Sequence, residues 1–376
     1  PFPLKRAPGS KRGENKWVRT TWEEALETIG KKMREVLLKG DEISKKQIIY
    51  HVGRPNENGF HVKRVVWSWG VDGRNTHTNV CSSNGRFGNI VTVGDDRTSP
   101  DFGNSRLILL VSSHAADAGH YYQQHAGYIA DARAKGAKLV VIDPRMSNSA
   151  GMADLWIPAW PGTEAAINLA MISRLVKEEK FNKEFVKRWF NWQQFMEDKE
   201  YLNFLKERGF LTEIPQGETF EDFAAVLKDI YKDYTFEWAA QEAKISVSML
   251  EKLYEMIVWA GDRITQYHWR AVAAGNRGGW MGAGRTGTIL MAFMGAIGSV
   301  GGTGWHHWHV LDLGDKGGSA CMADTPEPVK AWNELEWPPE WPMSSYELSY
   351  LLPHLVMDDE WRNKWKEKGL KIPDKV

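Results

Sequence analysis

Cysteine is scarce: Cys81 and Cys321 are the only two in 376 residues. Two thiols cannot build a disulfide framework, a four-cysteine zinc site or an iron–sulfur cluster within the chain. Net charge is also missing, since 48 lysines and arginines balance 48 aspartates and glutamates. With no global field to draw the chain to polyanions, a nucleic-acid partner is not expected. The longest apolar run, Thr288 to Val300, is too short and too rich in glycine to cross a bilayer, and the first residues carry no secretory apolar segment. No direct membrane span is expected. Internal repeats and low-complexity tracts do not occur either.

What is present is enough chain for two or three domains with full cores. Nineteen tryptophans cluster at 67–69, 156–160, 189–192, 305–308 and 332–341. Aromatic faces with one polar atom suit a large planar ligand, and they equally suit core and interface packing.

Thr21, with Glu24 three residues on, forms a capping box for a helix over about 22–38. Lys46 to Val52 reads as a short strand, and Gly59 to Trp69 has helical apolar spacing. Gly70 to Asp101, full of Gly, Asn, Asp and Ser, reads as a long loop holding Cys81. Arg106–Val111 (RLILLV), a helix near 119–134, Gly136 as its C-cap and Lys138–Ile142 (KLVVI) then make a βαβ unit. Leu155–Ile157 adds a short strand, and a helix opens after Pro161-Gly162-Thr163, from Glu164 to Glu179. Residues 180–262 read as mostly helical, with Ser246 as an N-cap. A further strand starts at Arg263, a helix at about 285, and the tail from 324 is irregular. Apolar strands alternating with helices predict an α/β fold with a parallel sheet covered on both faces.

Ligands of such sheets sit beyond the carboxyl ends of the strands. Those ends read Ser112-Ser113-His114-Ala115-Ala116-Asp117 and Asp143-Pro144-Arg145. An aspartate after a buried strand can accept from a ribose and the neighbouring arginine can meet a phosphate, or both can simply form a turn before proline. Glu164, at a helix start, could accept from a guanine N–H edge or could be an ordinary first-turn acid. Gly282 to Gly287 matches G-x-G-x-x-G, which invites a nicotinamide-dependent dehydrogenase. The acidic partner expected about 20 residues on is absent. His306, His307 and His309 match no standard zinc spacing. Cys81 lies in a polar loop, where a thiolate suits a soft or high-valent metal.

Jointly these segments resemble the dimethyl sulfoxide reductase family of bis-molybdopterin enzymes, over nearly the whole chain. The resemblance is carried in order by Pro3-Leu4-Lys5-Arg6 with Thr21 to Leu26, by Asn79-Val80-Cys81, by Ala137 to Arg145 with Ala153-Asp154 and Pro161 to Glu164, and by Arg285 to Gly295 with Gly301-Gly302. It implies a Rossmann-like parallel-sheet domain over 76–279, with the metal ligand and guanosine site, inserted in a discontinuous, incomplete pterin-binding α/β domain of 1–75 with 280–376. It implies molybdenum or tungsten held by two molybdopterin guanine dinucleotides, with Cys81 as the protein ligand. Ser112, His114, Asp117, Asp143, Arg145, Gly162, Thr163 and Glu164 would be the cofactor-binding set. Arg285 would attract an anionic substrate, and His77 would relay a proton.

A four-iron four-sulfur cluster is expected in a segment outside this chain, and an iron–sulfur electron-transfer subunit is an expected partner. The chain thus reads as a fragment or a naturally split subunit, and any export signal would lie upstream of residue 1. A noncatalytic scaffold of the same fold is the other alternative. The strand-end serines and histidine depart from the glycine and asparagine of many members. Ser82, where formate-oxidising members place histidine, predicts that formate is a poorer substrate than a sulfur, arsenic or nitrogen oxyanion or an organic molecule.

Overall fold

A computed structural model describes residues 1–39, 98–116, 122–268 and 280–305, with short pieces at 41, 44, 47–48, 50–52, 74–76, 88–89, 92–94, 118 and 367. The chain divides into two compact units, Pro1–His77 with His309–Ser344, and Thr78–Trp308 with Ser345–Val376.

In the first unit, strands β1 (Leu4–Arg6) and β2 (Trp17–Arg19) pair antiparallel. Helix α1 (Trp22–Leu37) follows, then β3 (Tyr50–Val52) and β4 (Arg74–Thr76), which pair in parallel. The Thr21 hydroxyl accepts from the Glu24 N–H at 3.1 Å. The Glu24 carboxylate, however, takes Lys5 and Thr20 instead of returning to the Thr21 backbone. Only half of the expected capping box forms, because a cation and a second hydroxyl compete for the acid.

β4, and β5 (Thr98–Pro100) in the second unit, fall inside the stretch expected to be loop. Three-residue strands are set by their partners, and are too short to show a period in sequence. The expected helix at Gly59–Trp69 lies outside the described residues.

The second unit is built on a parallel sheet of order β8-β7-β6-β9, with β6 at Leu107–Val111, β7 at Lys138–Ile142, β8 at Leu155–Ile157 and β9 at Ile264–His268. Every residue of β6 is buried, which explains its unbroken apolar run. Leu107, Leu109 and Val111 enter one core with Val140, Ile142 and Ile157, while Ile108 and Leu110 enter the other with Leu139 and Val141. The expected α/β architecture, with a parallel sheet covered on both faces, is the one observed.

Helix α2 (Tyr122–Ala134) covers the second face through Ile129 and Ala132 and stops at Gly136, φ +96°. After the short α3 (Asn148–Gly151), helix α4 (Glu164–Lys177) covers the first face with Ile167, Met171 and Leu175. A layer of α5 (Lys183–Trp189), α6 (Trp192–Glu197), α7 (Lys199–Glu207), α8 (Phe220–Ile230), α9 (Phe236–Ala243) and α10 (Val247–Ala260) packs outside it. A complete capping box, unforeseen in the sequence, starts α8 at Thr219 and Asp222. Ser246 precedes α10 as expected, but its hydroxyl pairs with Ser248 instead of capping.

A π-helical turn, Trp280–Gly284, leads into α11 (Arg285–Phe293), and β10 (Thr303–Trp305) returns to pair with β5. α11 lies along α4: a Cβ on Gly282 would come 3.0 Å from that of Ala165, and Asn168 donates to the Thr286 hydroxyl at 3.1 Å. Both helices start toward the carboxyl ends of the strands.

Candidate cofactor-binding site

β6 ends in Val111, and the next residue, Ser112, turns into the left-handed region at φ +51°. Its N–H still continues the ladder to the Ile142 carbonyl at 2.8 Å. Its hydroxyl donates to Glu164 Oε1 at 2.9 Å, bringing together two predicted residues from opposite ends of the segment. Ser113 is buried, and the His114 carbonyl accepts from the Ala118 N–H. The Ala116 N–H donates to the buried Ser149 hydroxyl at 2.9 Å, which ties this loop to α3.

Just after the neighbouring strand, Asp143 is half-buried and its Oδ1 accepts from the Arg145 N–H at 2.8 Å, the Asx-type turn that a short acid before proline favours. The Trp156 indole donates to the Asp143 carbonyl at 2.8 Å. Arg145 itself is exposed. Beyond β8 the chain turns at Gly162, φ +88°, and the Thr163 hydroxyl donates to the Trp160 carbonyl at 2.6 Å. Trp160 is exposed and Glu164 is only 4% exposed, so this turn offers an open aromatic face beside a buried acid.

Among the described residues, Glu164 has one partner, the Ser112 hydroxyl. A buried carboxylate costs free energy unless donors surround it, and the amino end of α4 supplies only part of that compensation.

Two polar residues missed by sequence reasoning lie on β9. Both amide atoms of the buried Gln266 are without a hydrogen-bond partner among the described residues. His268 closes the strand, and burial pushes its pKa down to about 4. The signal for Gln266 was an amide at the middle of a strand, Ile264–His268, whose first three residues are all buried.

Arg285 is exposed at the start of α11, and its charge partly offsets the burial that raises the Tyr231 pKa to about 12. Cys81, His77, Asp117, His306, His307, His309 and Cys321 lie outside the described residues. No group of three or more His, Cys, Asp or Glu able to hold a metal occurs among the described ones.

Two of the three glycines of the G-x-G-x-x-G match serve close packing. Gly282 meets α4, and a Cβ on Gly287 would lie 2.8 Å from the Gln266 amide. That use removes the support for a nicotinamide-binding turn. The Gly301-Gly302 pair lies at the other end of the sheet. A Cβ there would fall 2.3 Å from the Asn104 carbonyl and 2.0 Å from the Ala296 carbonyl.

Residues 2–311 match the model of the family described as molybdopterin oxidoreductase. The chain belongs to that family. Membership implies a molybdenum or tungsten pterin cofactor. Acetylene hydratase of Syntrophotalea acetylenica is 31% identical over 188 residues, covering 50% of this chain and 25% of that protein. The probable dimethyl sulfoxide reductase chain YnfF of Escherichia coli (strain K12) is 29% identical over 211 residues, 50% of this chain and 24% of its own. The solved structure of acetylene hydratase from Pelobacter acetylenicus superposes with a TM-score of 0.57 at 23% identity, covering 80% of this chain and 36% of that one. That likeness shows the molybdopterin oxidoreductase fold. The chain spans about a quarter of the length of these curated relatives.

Proposed function

We propose that this chain is the cofactor-holding core of a molybdenum or tungsten oxidoreductase that binds two molybdopterin guanine dinucleotides and carries out two-electron chemistry on a small substrate, in anaerobic respiration. The observation that carries the guanosine assignment is Glu164, a buried acid beside Ser112 at the carboxyl end of the sheet with Asp143 just after the next strand. Guanine offers two adjacent N–H donors, which fit a carboxylate with an oxygen to spare. Asp143 meets the ribose and Arg145 a phosphate, with His114, Asp117, Gly162 and Thr163 completing the pocket. When bound, the cofactor supplies the electron storage and the substrate-binding metal.

Cys81 is the protein ligand, Arg285 draws an anionic substrate, and His77 is a proton relay. A four-iron four-sulfur cluster and an iron–sulfur subunit pass the electrons. The metal ligand and the guanosine site belong to a Rossmann-like domain, 76–279, inserted in a pterin-binding domain, 1–75 with 280–376. The substrate is an oxyanion of sulfur, arsenic or nitrogen, or an organic molecule, in preference to formate. A second reading, hydration of a small unsaturated molecule, is favoured by acetylene hydratase, which recurs among both the sequence and the structural relatives.

Acid release from the purified protein should yield about two guanine nucleotides and one molybdenum or tungsten per chain. Adenine nucleotides with no metal would overturn the reading. Cys81→Ala should abolish turnover and alter the metal's spectrum while the metal is retained; wild-type activity in that variant would reduce Cys81 to a loop thiol.

A further inference from the structure

Ser112 stands where the backbone asks for glycine. An L-residue in the left-handed region costs roughly 1 to 2 kcal/mol, and glycine enters it freely. Ser112 nevertheless holds φ +51° directly after the central strand β6. Strain of this kind persists only where the surroundings over-determine it, and it gathers at functional sites. Two contacts determine it here: the N–H to Ile142 and the hydroxyl to Glu164. Any residue but proline could make the first. The second needs a hydroxyl of serine length.

We propose that Ser112 is a positioning residue for Glu164, holding one carboxylate oxygen so that the other is left for the N–H edge of a guanine. This rests on the guanosine reading above and adds a specificity device to it. Glu164 opens α4, is 4% exposed, and is followed by the buried Ala166 and Ile167. Without Ser112 its carboxylate has no described side-chain donor to fix its rotamer. Held by Ser112, it presents an acceptor to a base carrying two adjacent donors and repels the acceptor nitrogen of an adenine edge. The strained backbone is thus the cost of a fixed acceptor.

The test separates the hydroxyl from the backbone. Full-length holoprotein of wild type, Ser112→Ala, Ser112→Gly, Ser112→Thr and Glu164→Gln is followed for release of guanine nucleotide into the filtrate and for thermal unfolding. Ser112→Ala and Ser112→Gly should release the nucleotide roughly ten-fold faster, the equivalent of one hydrogen bond to a charged group. Ser112→Gly loses the same hydrogen bond but sheds the left-handed strain that Ser112→Ala keeps, so its Tm should stand about 2 °C above that of Ser112→Ala although the two release nucleotide alike. Ser112→Thr keeps the hydroxyl and worsens the strain, so it should lower Tm and hold the nucleotide as wild type does.

Release that follows Tm across the series, or wild-type release in both Ser112→Ala and Ser112→Gly while Glu164→Gln leaks, overturns the role of Ser112 alone. If Ser112→Thr does not fold, the alanine and glycine variants still decide. Wild-type release in Glu164→Gln, or no guanine nucleotide in the wild type, overturns the guanosine reading and this inference with it.

Discussion

β6 carries a serine at each end, and the two do opposite things. Ser105, just before the strand, is buried, with its hydroxyl 2.7 Å from the Asp101 carbonyl and 2.8 Å from that of Gly301. Around it the Gly301 N–H donates to Asp101 Oδ2 at 2.9 Å, the Asp101 N–H to the Gly302 carbonyl at 3.0 Å, and Arg263 to the Asn104 carbonyl. Each of these groups is answered by backbone or by a side chain in direct hydrogen-bond contact. Ser112, just after the strand, is strained and points its hydroxyl at an acid that has no other described partner. One end of the sheet is closed on itself; the other keeps polar capacity in reserve for a ligand.

The closed end should therefore fail by unfolding. Gly302→Ala would put a methyl 2.0 Å from the Ala296 carbonyl, and Gly301→Ala would put one 2.3 Å from the Asn104 carbonyl at φ +80°. Neither obstacle is a flexible side chain, so the backbone must move. A loss of about 4 kcal/mol or more is expected in chemical denaturation, at the top of the range for single substitutions. Nucleotide per folded molecule should stay at the wild-type level; selective loss of nucleotide in a stable variant would break the division between the two ends.

A smaller effect belongs to the open end and to pH. Burial holds the His268 pKa near 4, below the ordinary 6.5. The unfolded chain takes up this proton as pH drops through 6.5, while the folded chain resists until about 4. Stability is thus complete above the unfolded pKa and falls with pH across that window, by roughly 3 kcal/mol in all. His268→Gln should flatten the slope. The acids act lower: Glu178, held near 2 mainly by its hydrogen bond from Arg174, loses its contribution only below the usual carboxylate range. A slope confined to that lower range in the wild type would show that His268 is not kept neutral by the fold.

The sequence was legible where one physical term dominated. Leu107–Val111 and Lys138–Ile142 read as strands because burial on both faces leaves no polar alternation, and Gly136 read as a C-cap because it needs positive φ. Asp143 and Glu164 read as candidate ligands from their place after a strand and at a helix start. What could not be read was pairwise. The Ser112–Glu164 bond joins positions 52 residues apart, and nothing local marks Ser112 as left-handed. The glycine-rich stretch before α11 looked like a nucleotide turn because packing glycines and phosphate-binding glycines have the same local signature; only Ala165 and Gln266 tell them apart.

Asp143→Ala sharpens the comparison from the ligand side. Its described side-chain bond is to the Arg145 N–H two residues on, so the fold should lose little. If the carboxylate also meets a ribose, nucleotide affinity should drop by roughly 1.5 to 3 kcal/mol, the scale of a hydrogen bond to a charged group. Calorimetric binding and denaturation measured on the same variant should diverge. Equal small losses in both would leave Asp143 as a turn residue only.

The smallest expected effect is that of Ser105→Ala, and its value lies in the contrast with Ser112. The variant removes one donor from a place where the Asp101 and Gly301 carbonyls both approach it, leaving buried acceptors less well satisfied. Ser105 has no strain to relieve, since its φ is −68°, so nothing offsets the loss. About 1 to 2 kcal/mol of stability should disappear, with nucleotide release unchanged. Ser112→Gly, at the other end of the same strand, also deletes a serine hydroxyl, but relief of the left-handed strain offsets part of the loss, and nucleotide is released faster. Two serines flanking five buried residues would then divide, loss of the same group costing stability alone at one end and nucleotide at the other. Matching responses would mean that β6 is a uniform structural strand, and that the polar reserve at its carboxyl end has no bearing on ligand binding.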